Sequence, residues 1–114
     1  MDNQKLIAYT TDLVKKDFDM SLSEDRLITE AELEKALAER ISYMIEHELE
    51  QLFAILYRLD VSEQKVHAAL KMDNEIPGAV AVARLIISRQ KEKAFTRMEY
   101  SQEETDFEDD VTAW

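Results

Sequence analysis

The apolar positions of this chain recur at intervals of three and four residues, the spacing of one face of an α-helix. Over residues 3–18 this spacing predicts a first helix whose inner face carries Leu6, Ile7, Thr10, Leu13, Val14 and Phe18. The pattern breaks over residues 17–27, where we expect a connection that contains one turn near Ser23. The chain is therefore predicted to begin with an amphipathic helix and an irregular connection.

The second predicted helix has the clearest start signal in the sequence. Thr29 is followed three residues later by Glu32, which is the arrangement of a capping box: each side chain accepts a hydrogen bond from the backbone N–H of the other residue. The apolar stripe then continues in phase through Leu33, Leu37, Ile41, Met44, Ile45, Leu49, Leu52, Phe53, Leu56 and Leu59. This predicts one long central helix over residues 30–59, about 45 Å in length.

The two halves of this long helix differ in the width of their apolar face. Every residue from Leu52 to Tyr57 is apolar, and such a hexapeptide also suits a buried strand, but the helical stripe passes through it in phase. We expect residues 49–59 to be a buried anchor and residues 33–45 to be a partly solvated arm. The candidate partner-binding residues on this arm, which we expect to be exposed, are Leu33, Leu37, Ile41 and Tyr43.

Two further helices are predicted after this one. The short third helix spans about residues 63–71, with either Asp60 or Ser62 as its N-cap, and the pattern favours Ser62. Pro77 suits the first position of the fourth helix, because no N–H is needed there, and this helix runs to about Met98.

The predicted fold is all-α. Residues 1–100 form an antiparallel helical bundle of three sizeable helices and one short helix, with a long central helix. Residues 101–114 show no helical period and carry six acidic and no basic side chains, which indicates an acidic tail.

Composition supports this prediction and excludes several classes of site. The chain has 114 residues, of which 46% are hydrophobic, and only one glycine and one proline, which is typical of helices rather than turn-rich sheets. Since there is no cysteine, disulfides, thiolate metal sites and cysteine nucleophiles are excluded. No apolar segment has the length of a signal peptide core or of a membrane span, so we expect a cytoplasmic protein.

The net charge of −11 argues against binding to nucleic acid or to anionic lipid. The one basic stretch is residues 84–100, with five basic and two acidic side chains. It has three possible roles: contact with phosphate or an acidic partner, interaction with the helix C-terminal dipole, or pairing with the acidic residues of this chain. We expect no direct contact with nucleic acid.

The residues with the strongest potential for metal chemistry are Glu46, His47 and Glu50, which lie within two helical turns. Carboxylate di-metal bundles use Glu-x-x-His, and that spacing fails here because Met44 precedes His47 by three residues. A single glycine cannot build a phosphate-binding loop. We therefore expect no catalytic, metal or cofactor site.

One resemblance can be stated. The segment Ile55-Leu56-Tyr57-Arg58-Leu59-Asp60-Val61-Ser62-Glu63, followed by Leu85-Ile86-Ile87-Ser88-Arg89-Gln90, resembles small uncharacterised bacterial helical proteins. The resemblance covers about half of the chain and implies a bacterial, cytoplasmic, helical protein.

The leading hypothesis for function is a non-enzymatic protein–protein interaction or regulatory domain. A homodimer along the second helix would bury the apolar arm by matching it to itself. Phe107 and Trp114 in the acidic tail are further candidate partner-binding residues. The alternatives are a metal-binding protein or enzyme centred on Glu46, His47 and Glu50, and a nucleic-acid-related regulator or acidic mimic of DNA.

Overall fold

The computed structural model describes residues 3–20, 28–71 and 75–106, with side chains to residue 100. Within these ranges the backbone forms five α-helices and no strand, which confirms the prediction of an all-α bundle. In chain order the helices are α1 Asn3–Phe18, α2 Glu30–His47, α3 Leu49–Arg58, α4 Glu63–Ala69 and α5 Gly78–Asp106.

Helix α5, rather than the second helix, organises the bundle. Helices α1, α2 and α4 all pack against it. Its inner face is fully buried and includes two small or branched side chains, Val82 and Ala83, followed one turn later by Ile86 and Ile87. Because α5 runs to Asp106, it extends beyond the predicted end at Met98, and residues 101–106 are helical rather than part of a tail without helical structure.

The predicted continuous helix over residues 30–59 is wrong, because Glu48 interrupts it. Glu48 has φ −141° and ψ 46°, which separates α2 from α3. Its backbone groups still bond along the chain: the N–H donates to the Met44 carbonyl at 2.7 Å, and the carbonyl accepts from the Leu52 N–H at 3.0 Å. Its side chain turns back toward α2, with Oε1 3.7 Å from Nη2 of Arg40.

The predicted distribution of burial along this segment is also wrong. Leu33, Leu37 and Ile41 are fully buried, so they are core residues rather than exposed partner-binding residues. The physical reason is that α5 and α1 cover this half of the segment, and the three side chains join one cluster with residues of those helices. Tyr43 alone among the four predicted positions is exposed, at 50%. Because these three side chains are buried within the chain, they cannot form the contact of the predicted homodimer, which stays a prediction.

The start signals of α2 and α4 are confirmed, whereas α5 begins at Gly78, one residue after the predicted first position at Pro77. The Thr29 hydroxyl accepts from the Glu32 N–H at 3.1 Å, and the Glu32 carboxylate accepts from the Thr29 N–H at 2.9 Å. Ser62 caps α4 by accepting from the Lys65 N–H at 3.4 Å. Helix α1 has the predicted bounds. The turn predicted near Ser23, and the candidate residues Phe107 and Trp114, lie outside the described residues.

Candidate interaction surface on helix α3

Helix α3 is apolar on most of its circumference, but only one side of it meets the core. Leu52, Ile55 and Leu56 point inward and are 0%, 6% and 3% exposed. On the opposite side lie Phe53 and Tyr57, and the helix begins with Leu49 at its edge. The predicted buried anchor is therefore buried on one side only.

Three large apolar side chains form an exposed ridge along α3, which we call the aromatic ridge: Leu49, Phe53 and Tyr57. Their spacing of four residues places them one above another on one strip of the helix surface. They are exposed by 43%, 37% and 88%. An exposed aromatic of this extent is costly in water unless another surface covers it.

A second ridge runs beside the first, and we call it the charged ridge: Glu50, Ala54 and Arg58. All three side chains are exposed. The small alanine lies midway between an acid and a base, each four residues away. Among the residues that the structure describes, no partner for Glu50 or Arg58 lies within ion-pair distance.

The aromatic ridge borders a cleft between α3 and α4. The cleft is open and has a volume of about 260 Å³. Its lining is mainly apolar and consists of Phe53, Leu56, Tyr57, Val61, Glu63 and Val66. The outer side of α3 thus combines a protruding tyrosine with an adjacent apolar depression, the kind of relief that is common at protein contact surfaces.

The C-terminal end of α3 is held in place by α5. Asp60 has φ 62°, a left-handed conformation that aspartate tolerates better than most residues and that ends the helix. Arg89 on α5 donates from Nε to the Leu59 carbonyl at 3.2 Å and from Nη2 to Asp60 Oδ2 at 3.3 Å. These bonds fix the direction in which the last turn of α3, and with it Tyr57, faces solvent.

A second aromatic group lies at the end of α2. The ring centroids of Tyr43 and His47 are 4.7 Å apart with an interplanar angle of 42°. The Arg40 guanidinium lies over the Tyr43 ring, 5.7 Å from its centroid, and also approaches Glu48. These contacts occupy the α2 side of the break at Glu48, and they leave Tyr43 half exposed.

The geometry does not form the inward-facing site that the metal alternative requires. Glu46, His47 and Glu50 are all exposed, and Nε2 of His47 lies 3.7 Å from Oε2 of Glu46. Across residues 3–20, 28–71 and 75–106, no three potential metal-ligating side chains of histidine, cysteine, aspartate or glutamate gather in one place.

The basic stretch of α5 pairs with acidic residues of this chain, as one of the three predicted roles requires. Arg84 Nε lies 2.8 Å from Glu34 Oε1, and Lys91 Nζ lies 2.8 Å from Glu30 Oε1. Together with the Arg89 contact to α3, these pairs tie α5 to α2 and α3. Three of the five basic side chains are thereby engaged within the bundle, which weakens the case for phosphate binding.

Comparison with protein-family models, with curated proteins and with solved structures gave no match to this chain. In the described parts of the chain, no helix is both long enough and apolar enough to cross a bilayer. The geometry of the surface itself is therefore the basis for a proposal about function.

Leu49, Phe53 and Tyr57 were missed as candidate residues because the apolar arc of their helix is wider than the side that faces the core. The 3.6-residue period shows where such an arc lies, but not which part of it a neighbouring helix covers. The one available signal was the mismatch in size, since a ten-residue helix with seven apolar side chains, LEQLFAILYR, has more apolar surface than one neighbouring helix covers.

Proposed function

We propose that this protein is a non-enzymatic protein–protein interaction domain whose contact surface is the outer side of α3. The observation that carries the proposal is the aromatic ridge, with Tyr57 88% exposed beside Phe53 and Leu49. Tyrosine and phenylalanine are enriched at contact surfaces because they bury a large area at a small cost in side-chain entropy.

The surroundings of the ridge support binding rather than chemistry. The cleft beside it is lined mainly by apolar side chains and holds one acid, Glu63. A nucleophile with an adjacent base, or paired carboxylates with separated pKa values, would be expected in a catalytic cleft. A convex aromatic ridge beside an apolar depression suits the side chains of another protein.

The contribution of the ridge is expected to be concentrated in Tyr57. Burying a large apolar side chain is worth roughly 1.5–3 kcal/mol, in proportion to the area removed from water. Tyr57 has the most area left to bury, whereas Phe53 and Leu49 are already more than half covered. We therefore expect Tyr57→Ser to weaken partner binding by about 2 kcal/mol.

Site-specific photocrosslinking in the cells that produce the protein tests this proposal. A photoreactive phenylalanine analogue at position 57 is expected to give a discrete protein adduct, and Phe53→Ser in the same chain is expected to reduce its yield. The matched control carries the analogue at Lys35, an exposed position on α2. Equal adducts from positions 57 and 35, or none from position 57, would contradict the proposal.

Phe107 and Trp114 stay candidate partner-binding residues of the acidic segment, and a cytoplasmic location stays a prediction. Glu46, His47 and Glu50 are exposed, whereas the metal-binding alternative needs them to face a pocket with a second carboxylate helix opposite.

A further inference from the structure

We infer that the partner of the α3 surface is a second copy of this chain, with the two α3 helices packed antiparallel about a two-fold axis at Ala54. This inference rests on the proposed function, since it takes the outer side of α3 to be a contact surface. What singles out a second copy is the symmetry of the charged ridge.

The charges of this ridge match themselves when the helix direction is reversed. Glu50 and Arg58 lie four residues before and four residues after Ala54. In an antiparallel pair centred on Ala54, Glu50 of one copy therefore faces Arg58 of the other, and the two-fold axis makes this contact twice. A parallel pair would instead oppose like charges at both ends, which is unfavourable.

The steric pattern fits the same axis. Ala54 is the smallest side chain on the outer side of α3, so the two backbones can approach closely at the crossing point. The two-fold axis places both aromatic ridges on the same side of the crossing. Within each ridge Tyr57 lies about 60° around the helix from Ala54 and faces the other copy, whereas Phe53 lies about 100° around, at the border of the contact. Tyr57, which is 88% exposed in the isolated chain, would therefore lose exposed area in this contact.

The two charges are also available for the contact. Both side chains are exposed, and among the described residues neither has an ion-pair partner within the chain. The remainder of the chain is strongly acidic, with a net charge of −11, so two copies repel each other over most of their surfaces. A local match of Glu50 with Arg58 offsets this repulsion where the two α3 helices meet.

The size of the contact sets the expected affinity. Helix α3 has ten residues, so its outer side is about 15 Å long. A contact of this length belongs to the small class of interfaces, which are weak or transient. We expect a dissociation constant on the order of 10–100 µM for the dimer.

Analytical ultracentrifugation of the full chain over a concentration series from below to above this range tests the inference. Glu50→Arg and Arg58→Glu are each expected to weaken the dimer about tenfold, because each sets like charges opposite each other twice. The double variant that carries both changes is expected to restore the dimer to near the wild-type affinity, because the ion pairs form again with reversed sign.

The matched controls are Glu39→Arg and Lys35→Glu on α2, which make the same charge changes at exposed positions outside the surface. They are expected to leave the dimer affinity within twofold to threefold of wild type. Circular dichroism of every variant checks the fold, and since all four positions are exposed, no loss of helix is expected.

A wild-type chain that stays monomeric at the highest concentration would overturn the inference. If position 57 then still crosslinks to a different protein, the proposed function stands without the second copy. A dimer whose affinity does not return in the double variant would overturn the antiparallel arrangement about Ala54. A dimer that the charge-matched controls weaken as much as the α3 variants would do the same.

Discussion

Arg89 on α5 bonds to Asp60, the residue whose left-handed backbone ends α3. Its Nη2 lies 3.3 Å from Asp60 Oδ2, while its Nε donates to the Leu59 carbonyl at 3.2 Å and its Nη1 to Glu92 at 3.2 Å. One guanidinium thus satisfies a carbonyl at the end of α3 and an acid in the turn that follows, and it couples the position of the proposed interaction surface to α5.

Removing this guanidinium is expected to destabilise the bundle. Arg89→Ala leaves the part-buried Leu59 carbonyl without its donor, and we expect the free energy of unfolding to fall by about 1–2 kcal/mol. Arg89→Lys retains the charge but not the forked geometry, so an intermediate loss is expected. Urea denaturation measures both, with Arg97→Ala, an exposed position on the same helix, as the control within about 0.5 kcal/mol.

The capping box of α2 gives a second prediction. Thr29→Ala removes the side-chain acceptor for the Glu32 N–H, and the free energy of unfolding is expected to fall by about 1 kcal/mol. Ser42→Ala serves as the control, because it removes a hydroxyl from an exposed position inside the same helix that has no capping role. Equal losses of stability in urea for both variants would show that the cap makes no special contribution.

Leu37 and Tyr43 are expected to respond very differently to truncation. Leu37 is fully buried, so Leu37→Ala removes packing and leaves a cavity, with an expected loss of about 2–5 kcal/mol. Tyr43 is half exposed, and Tyr43→Ala is expected to cost less than about 1 kcal/mol, mainly through the contact with the His47 ring. Thermal unfolding of both variants checks the assignment of Leu37 to the core.

A fourth prediction concerns pH and the contact between α1 and α5. Gln90 is 2% exposed, and its Nε2 donates to Asp17 Oδ2 at 2.5 Å. Gln90→Glu places a buried carboxyl beside Asp17, and both burial and the neighbouring negative charge raise the pKa of the new carboxyl in the folded state above its usual value.

The sign of the pH dependence follows from that raised pKa. Below the unfolded pKa of about 4.3 the new carboxyl is protonated in both states, so the variant is expected to lose little stability. As the pH rises above this value the penalty grows, and near pH 7 we expect a loss of about 2 kcal/mol or more. Urea denaturation at pH 4 and pH 7 measures the difference. Gln90→Met, which cannot ionise, is the control, and a pH-independent loss for Gln90→Glu would contradict the prediction.

Local hydrogen bonds are the part of this structure that the sequence by itself determined. The bounds of α1, the capping box at Thr29 and Glu32, and the Ser62 cap all depend on residues within three or four positions of one another. The all-α class follows in the same way from helical spacing and from the scarcity of glycine and proline. These signals act within one turn of helix, so no knowledge of the packing was needed to predict them.

Tertiary structure decided which surfaces are covered. Neither proline nor glycine marks the break at Glu48, and the apolar arc of the helix after it is wider than the side that faces the core. The choice of Leu52 as a core residue and Tyr57 as an exposed one depends on where α4 and α5 lie, and these helices follow later in the chain. The pairing of Arg84 with Glu34 and of Lys91 with Glu30 likewise joins residues that are 50 and 61 positions apart.

The proposed interaction surface belongs to this second class. Leu49, Phe53 and Tyr57 have helical spacing in the sequence. That spacing by itself predicted that they belong to the core. Only the packing of the opposite side against the bundle left this ridge in solvent. The physical reason is that burial depends on the whole assembly of helices. A stripe of apolar residues shows that a helix has an apolar face, and the neighbouring helices determine how much of that face is buried.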